Sequence, residues 1–280
     1  MKNEKKNSIS ANGLLTYLLH YLPTTMALYL VKKLVRQPYR YHAKKRELDF
    51  FCNAERISYS EGLFAYVFGQ RSDPIVVLVH GWGGASYQWH QFIPFLIESG
   101  YQVFVPDITA HGNSDGSSIE FSNFWKDLEK LDKKIKSQVY CYIGHSAGGL
   151  GVMVAKNLNL VSAKKFCCIS APSRPYPPLK ILTKKFNITD SLLLAYKNSL
   201  CHEFGAKSWE DLASFCYKTN DLSDLLLIYD DQDRYLDKND YLNICDVVSH
   251  YKLKIFSGAG HEGILYKQET IDEVLSFLSS

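Results

Sequence analysis

The sequence predicts an α/β protein, a mainly parallel, doubly wound sheet with a helical cap inserted late in the chain. Three observations carry this. Short β-branched apolar runs alternate with helical patterns from about residue 75 to 170. The alternation stops after Pro172 and resumes at Leu225. The run Val139–Ile143 leads straight into Gly144-His145-Ser146-Ala147-Gly148, a strand-to-helix turn built around one serine.

The elements follow in order. The apolar stretch Leu14–Val31 is interrupted by His20, Pro23, Thr24 and Thr25, and no small-residue cleavage site follows it. It reads as two short helices parted at Pro23, the second continuing through Lys32-Lys33-Leu34-Val35. Helices packed on the domain are expected; a peripheral membrane-binding arm is the competing expectation, because apolar and basic residues alternate there. The run Met1-Lys2-Asn3-Glu4-Lys5-Lys6 precedes them. The basic, aromatic stretch Arg36–Arg46 reads as a solvated linker, with binding of phosphate-bearing partners as the alternative.

Residues Arg56–Phe68 read as a β-hairpin turning at Glu61-Gly62. Pro74 introduces Ile75–Val79, a run expected of a central strand buried on both faces. His80-Gly81-Trp82-Gly83-Gly84 follows, then a helix carrying Phe92, Phe95 and Leu96 and closed by Gly100. The strand Gln102–Val105 ends at Pro106-Asp107 and opens a turn cluster through Gly116. A helix from about Ser122 to Ile135 repeats apolar residues at three- and four-residue steps. The serine turn, a helix to about Leu158 and the strand Lys165–Ser170 come next.

Between Arg174 and about Ser223 no strand pattern is found, and helical patterns occur around Leu179–Phe186, Ser191–His202 and Trp209–Tyr217. Strands over Leu225–Tyr229 and Leu253–Phe256 and helices over Asn239–Val248 and Thr270–Leu278 close the chain. The expected organisation is a helical extension over 1–50, an α/β core over 51–173 and 224–280, and a cap over 174–223.

Composition bounds the function. The 280 residues contain 46% hydrophobic and 22% charged residues, enough for a sizeable core. A net charge of +3 makes no global case for nucleic acid. The 7 cysteines are odd in number and follow no framework spacing, and Cys141, Cys167 and Cys168 fall in apolar strand-like runs. Reduced thiols in a cytoplasmic protein are expected, with neither disulfides, metal nor cofactor. Oligomeric state is not legible.

A serine on so sharp a turn must adopt a strained backbone, tolerable when its neighbours are small, as Gly144 and Gly148 are. Its hydroxyl needs a base, and the base needs an acid to fix its tautomer. Ligands gather at the carboxyl ends of parallel strands, so the partners should follow later strands. Asp230-Asp231-Gln232-Asp233 follows the strand ending at Tyr229, and Ser257-Gly258-Ala259-Gly260-His261 follows the one ending at Phe256. Asp233 has enough loop to turn back under the histidine, whereas Asp230 and Asp231 read as loop caps. His261 is the expected base. His111 reads as a turn-stabilising residue, His250 lies at a helix end, and His145 precedes the nucleophile and points away from it, leaving it a place beside the substrate. The amides of Ala147 and Trp82 are the expected oxyanion donors, with the Trp82 ring beside the substrate or in the core.

These pieces resemble the α/β-hydrolase family, specifically its smaller bacterial serine hydrolases of esterase or lipase type with a helical cap. The matching residues are His80–Gly84, Asp107–Gly116, Gly144–Gly148, the Asp233 loop and Gly258–His261, together spanning roughly residues 55–280. The resemblance implies acyl-enzyme hydrolysis but no particular substrate, because this fold hosts many acyl chemistries. The inserted cap suits a small to medium acyl group beneath a lid, and hydrolysis of a carboxylic ester is the leading expectation. Ser146 in place of an elbow aspartate argues against dehalogenase and epoxide hydrolase chemistry. An acyltransferase or thioesterase on the same triad, and a non-catalytic binding protein that kept the fold, are the alternatives.

Overall fold

A computed structural model describes residues 11–175, 183, 185–218, 224–236 and 238–280. The basic start Met1–Lys6 and five of the eight positions of the helix expected around 179–186 lie outside these residues.

The chain divides into two compact units, Met1–Arg36 with Tyr176–Trp209, and Gln37–Pro175 with Glu210–Ser280. In the first, α1 (Ala11–Tyr21) and α2 (Thr24–Val35) part at Pro23. Pro23 is the N-cap of α2, extended at ψ 141°, and its carbonyl accepts the Met26 and Ala27 amides at 2.9 and 3.0 Å. The buried residues Ala27, Val31 and Val35 of α2 share one helix face, and α2 packs on the long helix at Asp190–Phe204. The N-terminal helices therefore join the inserted segment in one unit.

The first helix of the second unit is α3 (Lys45–Phe51), all of which but Phe51 falls in the expected extension. Phe51 packs edge-on against Tyr66, Phe68 and Tyr87, so this helix belongs to the sheet's own core. The preceding stretch is also more than a solvated linker, because Arg40 donates to the Gly116 carbonyl at 2.7 Å and Tyr41 to the buried Glu47.

Eight strands form one sheet in the order β1-β2-β4-β3-β5-β6-β7-β8. They are β1 (Glu55–Ser60), β2 (Leu63–Phe68), β3 (Ile75–Val79), β4 (Gln102–Pro106), β5 (Val139–His145), β6 (Ala163–Ile169), β7 (Asp224–Asp230) and β8 (Lys252–Phe256). The β1–β2 and β2–β4 pairs are antiparallel, and every later pairing is parallel. All five residues of β3 are buried, as a strand covered on both faces requires. The hairpin turns at Gly62, whose φ of 65° suits glycine.

The helices of this unit continue with α4 (Ile93–Glu98), α5 (Asn123–Ile135) and α6 (Ala147–Asn157). With α7 given to Asp190–Phe204 of the first unit, α8 (Asp211–Tyr217), α9 (Lys238–Cys245), α10 (Gly260–Gly263) and α11 (Gln268–Ser279) complete the set. Helix α8, expected in the cap, lies in the sheet-bearing unit. Its buried Leu212, Ala213, Cys216 and Tyr217 cover α6, and the Tyr217 hydroxyl donates to the Pro172 carbonyl at 2.7 Å. Cys141, Cys167 and Cys168 are buried free thiols.

Candidate active site

The register brings the carboxyl ends of β3, β5, β7 and β8 along one sheet edge. Val79 pairs with Gly144, His145 with Ile169, and Asp230 with Phe256. The segments that follow these strands carry Gly81-Trp82, Ser146, Asp233 and His261.

Ser146 stands between β5 and α6 with φ 53° and ψ −123°, a conformation that an L-residue holds only when its surroundings over-determine it. Its amide donates to the Ile169 carbonyl at 2.9 Å. Glycines make the tight turn feasible. A Cβ on Gly148 would lie 2.4 Å from the His80 carbonyl oxygen, and one on Gly144 would lie 2.5 Å from Gly149. Helix α6 can thus rest directly on the end of β3, with the serine half-exposed at its start.

His261 and Asp233 complete a triad. Asp233 Oδ2 accepts from His261 Nδ1–H at 2.6 Å, and His261 Nε2 lies 2.9 Å from Ser146 Oγ. The other Asp233 oxygen, Oδ1, accepts the Tyr235 and Leu236 amides at 2.8 and 3.0 Å. Burial pushes the Asp233 pKa up, but the His261 hydrogen bond and charge, with those two amides, outweigh it and hold the carboxyl below its usual range. An ionised Asp233 keeps the proton on Nδ1, which leaves Nε2 free to accept from the serine hydroxyl.

Asp230 caps the loop, accepting the Gln232 amide at 3.0 Å and the Ala259 amide at 2.9 Å. It thereby ties the acid's loop to the base's turn. Arg234 and Glu262, each adjacent to a triad member, form an exposed ion pair at 3.1 Å. The Tyr235 ring meets the His261 ring edge-on, centroids 4.9 Å apart.

The loop after β3 abuts the elbow. A Cβ on Gly81 would sit 3.0 Å from Ser146 Cβ. Among the described residues neither the Trp82 nor the Ala147 amide has an internal acceptor, as oxyanion donors require. The Trp82 ring is half-buried and stacked on Phe121 and Phe124, at 5.7 and 6.2 Å.

Histidines other than His261 hold this loop. The Gly83 amide donates to His111 Nε2 at 2.9 Å, while His111 Nδ1–H donates to the Thr109 carbonyl. His80 Nε2 accepts the Ile108 amide at 3.0 Å, and its Nδ1–H donates to Gly81. Burial lowers the pKa of His80 to about 4, and burial with the neighbouring His80 lowers that of His111 to about 3, so both stay neutral acceptors. Asp107 accepts the Ser86 and Asn113 amides at 2.7 and 2.9 Å. Its burial raises its pKa to about 6 against those hydrogen bonds.

His145, expected beside the substrate, is 4% exposed and turned inward. Its Nε2–H donates to the His261 backbone carbonyl at 2.9 Å, and its Nδ1 accepts from Gln88 Nε2 at 3.4 Å. Both ring nitrogens are occupied by protein, so the residue braces His261 and offers no free nitrogen. Burial, then the nearby His261, lowers its pKa to about 3. Sequence reasoning missed Gln88, which no short motif contains, whereas His111, read as turn-stabilising, also anchors the loop after β3.

This fold and this elbow define a class, and comparison with known proteins agrees. The family model for the α/β-hydrolase fold matches residues 74–159. The chain is similar to epoxide hydrolase A of Mycobacterium tuberculosis, 26% identical over 125 residues, 42% of this chain and 39% of that protein. It is also similar to the pimeloyl-(acyl-carrier protein) methyl ester esterase of Vibrio atlanticus, 29% identical over 125 residues, 40% of this chain and 45% of that protein. The chain thus spans less than half the length of these curated relatives. Among solved structures, an esterase of Pyrococcus furiosus superposes with a TM-score of 0.62 at 18% identity, covering 87% of this chain and 96% of that one. Est1E of Butyrivibrio proteoclasticus, with ferulic acid bound, gives 0.60 at 18%, covering 81% and 98%. The chain has the α/β-hydrolase fold.

Proposed function

We propose that the protein is a serine hydrolase that cleaves a carboxylic ester of small to medium acyl length through an acyl-enzyme. The observation that carries this is the continuous line Asp233–His261–Ser146, with both links at hydrogen-bond distance. The Ser146 hydroxyl transfers its proton to His261 Nε2 as Oγ attacks the ester carbonyl. Asp233 stabilises the imidazolium, and the Trp82 and Ala147 amides, with the start of α6, receive the oxyanion. His261 then protonates the departing alcohol. A water, deprotonated by His261, attacks the acyl-serine, and the acid leaves as the proton returns to Ser146.

Similarity to an epoxide hydrolase is not carried over to the reaction, because a serine stands at the elbow. The test is hydrolysis of p-nitrophenyl esters from acetate to decanoate by the wild type and by Ser146→Ala. The proposal expects turnover with a maximum at short or middle chain length and its loss in the variant. Turnover equal in the two proteins would overturn it.

A further inference from the structure

The first 46 residues carry a charge that the rest of the chain does not. Of 32 Lys and Arg and 29 Asp and Glu in the sequence, this stretch holds ten of the basic residues and one acid, Glu4, leaving 22 basic against 28 acidic residues elsewhere. From Ala11 to Arg46 there is no acid at all.

Helices α1 and α2 divide their apolar residues between two faces. Leu19, Ala27, Val31 and Val35 are buried. Leu14, Tyr17 and Tyr21, at steps of three and four on α1, are 51%, 58% and 74% exposed. Met26 and Tyr29 on α2 are 54% and 66% exposed, and the same face of α2 runs on to the exposed Lys33. Five of the thirteen large exposed hydrophobic side chains among the described residues thus fall within sixteen positions of the sequence. The Tyr17 and Tyr21 rings lie 4.5 Å apart.

We propose that α1 and α2 form a docking surface for the headgroup region of an anionic lipid bilayer. Tyrosine suits that zone, with a ring for the acyl boundary and a hydroxyl for the wet side. Lysines beside such a face are drawn to anionic headgroups. Helices of 11 and 12 residues are too short to cross a bilayer, and no described helix is long and apolar enough to do so, so this face lies on the surface. A second copy is the weaker occupant, because a two-fold interface would set like charges against each other. Nucleic acid would take the lysines but not the aliphatic and aromatic side chains. This surface does not depend on the chemistry at Ser146.

The test is co-sedimentation of the full chain with sucrose-loaded vesicles of pure phosphatidylcholine or of phosphatidylcholine containing ~30% phosphatidylglycerol. The wild type should pellet with the anionic vesicles and be released as salt rises from about 0.1 M toward 1 M. Lys32→Glu/Lys33→Glu should weaken binding at least about tenfold. Tyr17→Ser/Tyr21→Ser/Tyr29→Ser should abolish it, with circular dichroism and thermal melting showing both variants folded. Failure to pellet, or pelleting that both folded variants retain, would overturn the proposal. So would a wild-type dimer that the tyrosine variant dissolves while vesicle binding is absent.

Discussion

The Nε2–H of His145 donates to the backbone carbonyl of His261 across 2.9 Å, so the residue before Ser146 steadies the histidine hydrogen-bonded to it. Gln88, in the helical turn after β3, holds the other ring nitrogen at 3.4 Å. A polar chain therefore joins the oxyanion-loop side of the site to the base.

His145→Leu should leave the His261 carbonyl buried without a donor, lowering stability by about 1–3 kcal/mol. It should also reduce kcat more than it changes KM, because the disturbed group acts on the proton and not on substrate binding. His145→Gln can present an amide to the same carbonyl and should recover part of the rate. Ester kinetics and urea titrations of both variants check this, and equal rates for leucine and glutamine would argue for mere packing.

Asp233→Asn should lower kcat by roughly three to four orders of magnitude, since an amide stabilises the wrong imidazole tautomer. Stability gives a second readout. The native carboxyl titrates below its ordinary 3.8. The stabilisation tied to that shift is present above about pH 4 and is lost as pH falls through the native pKa. The melting-temperature gap between wild type and variant should therefore narrow from pH 7 toward pH 3.

Gly148→Ala places a Cβ 2.4 Å from the His80 carbonyl oxygen, a contact that only a shift of α6 away from β3 relieves. The expected loss of stability is about 1–3 kcal/mol. Ser146 starts that helix, so the rate constant for acylation should fall as well, which stopped-flow measurement of p-nitrophenol release reads directly.

His111→Phe keeps a ring among Trp82, His80 and Phe124 but removes the acceptor of the Gly83 amide. The loop carrying the Trp82 amide would lose its anchor, and kcat should fall by about 10²-fold, the scale of losing one oxyanion donor. His111→Gln, which retains an acceptor, should fall less.

The hydrogen-bonded line Asp233–His261–Ser146 was legible because its signals are local. A serine between glycines follows an apolar strand, and an aspartate and a histidine follow two later strands. The braces were not, because their partners are far apart in sequence. His145 meets Gln88 across 57 residues and His261 across 116, and neither glutamine nor a histidine's second nitrogen carries a motif. The sheet's strands were legible through their buried β-branched runs. The packing of α2 on the helix at Asp190–Phe204 was not, because amphipathic helices show which face is apolar without showing what covers it. The helix leading into Phe51 falls in the expected extension for the same reason: it follows a basic stretch, yet the Phe51 ring at its end enters the aromatic core beside Tyr66.

The most direct measurement of the central claim is intact-protein mass spectrometry after exposure to a fluorophosphonate. A single phosphonyl adduct that peptide mapping places on Ser146, formed quickly on wild type, slowly on Asp233→Asn and absent from Ser146→Ala, is the expected result. No adduct on folded wild-type protein, or an adduct on another residue, would contradict the assignment of Ser146 as an activated nucleophile.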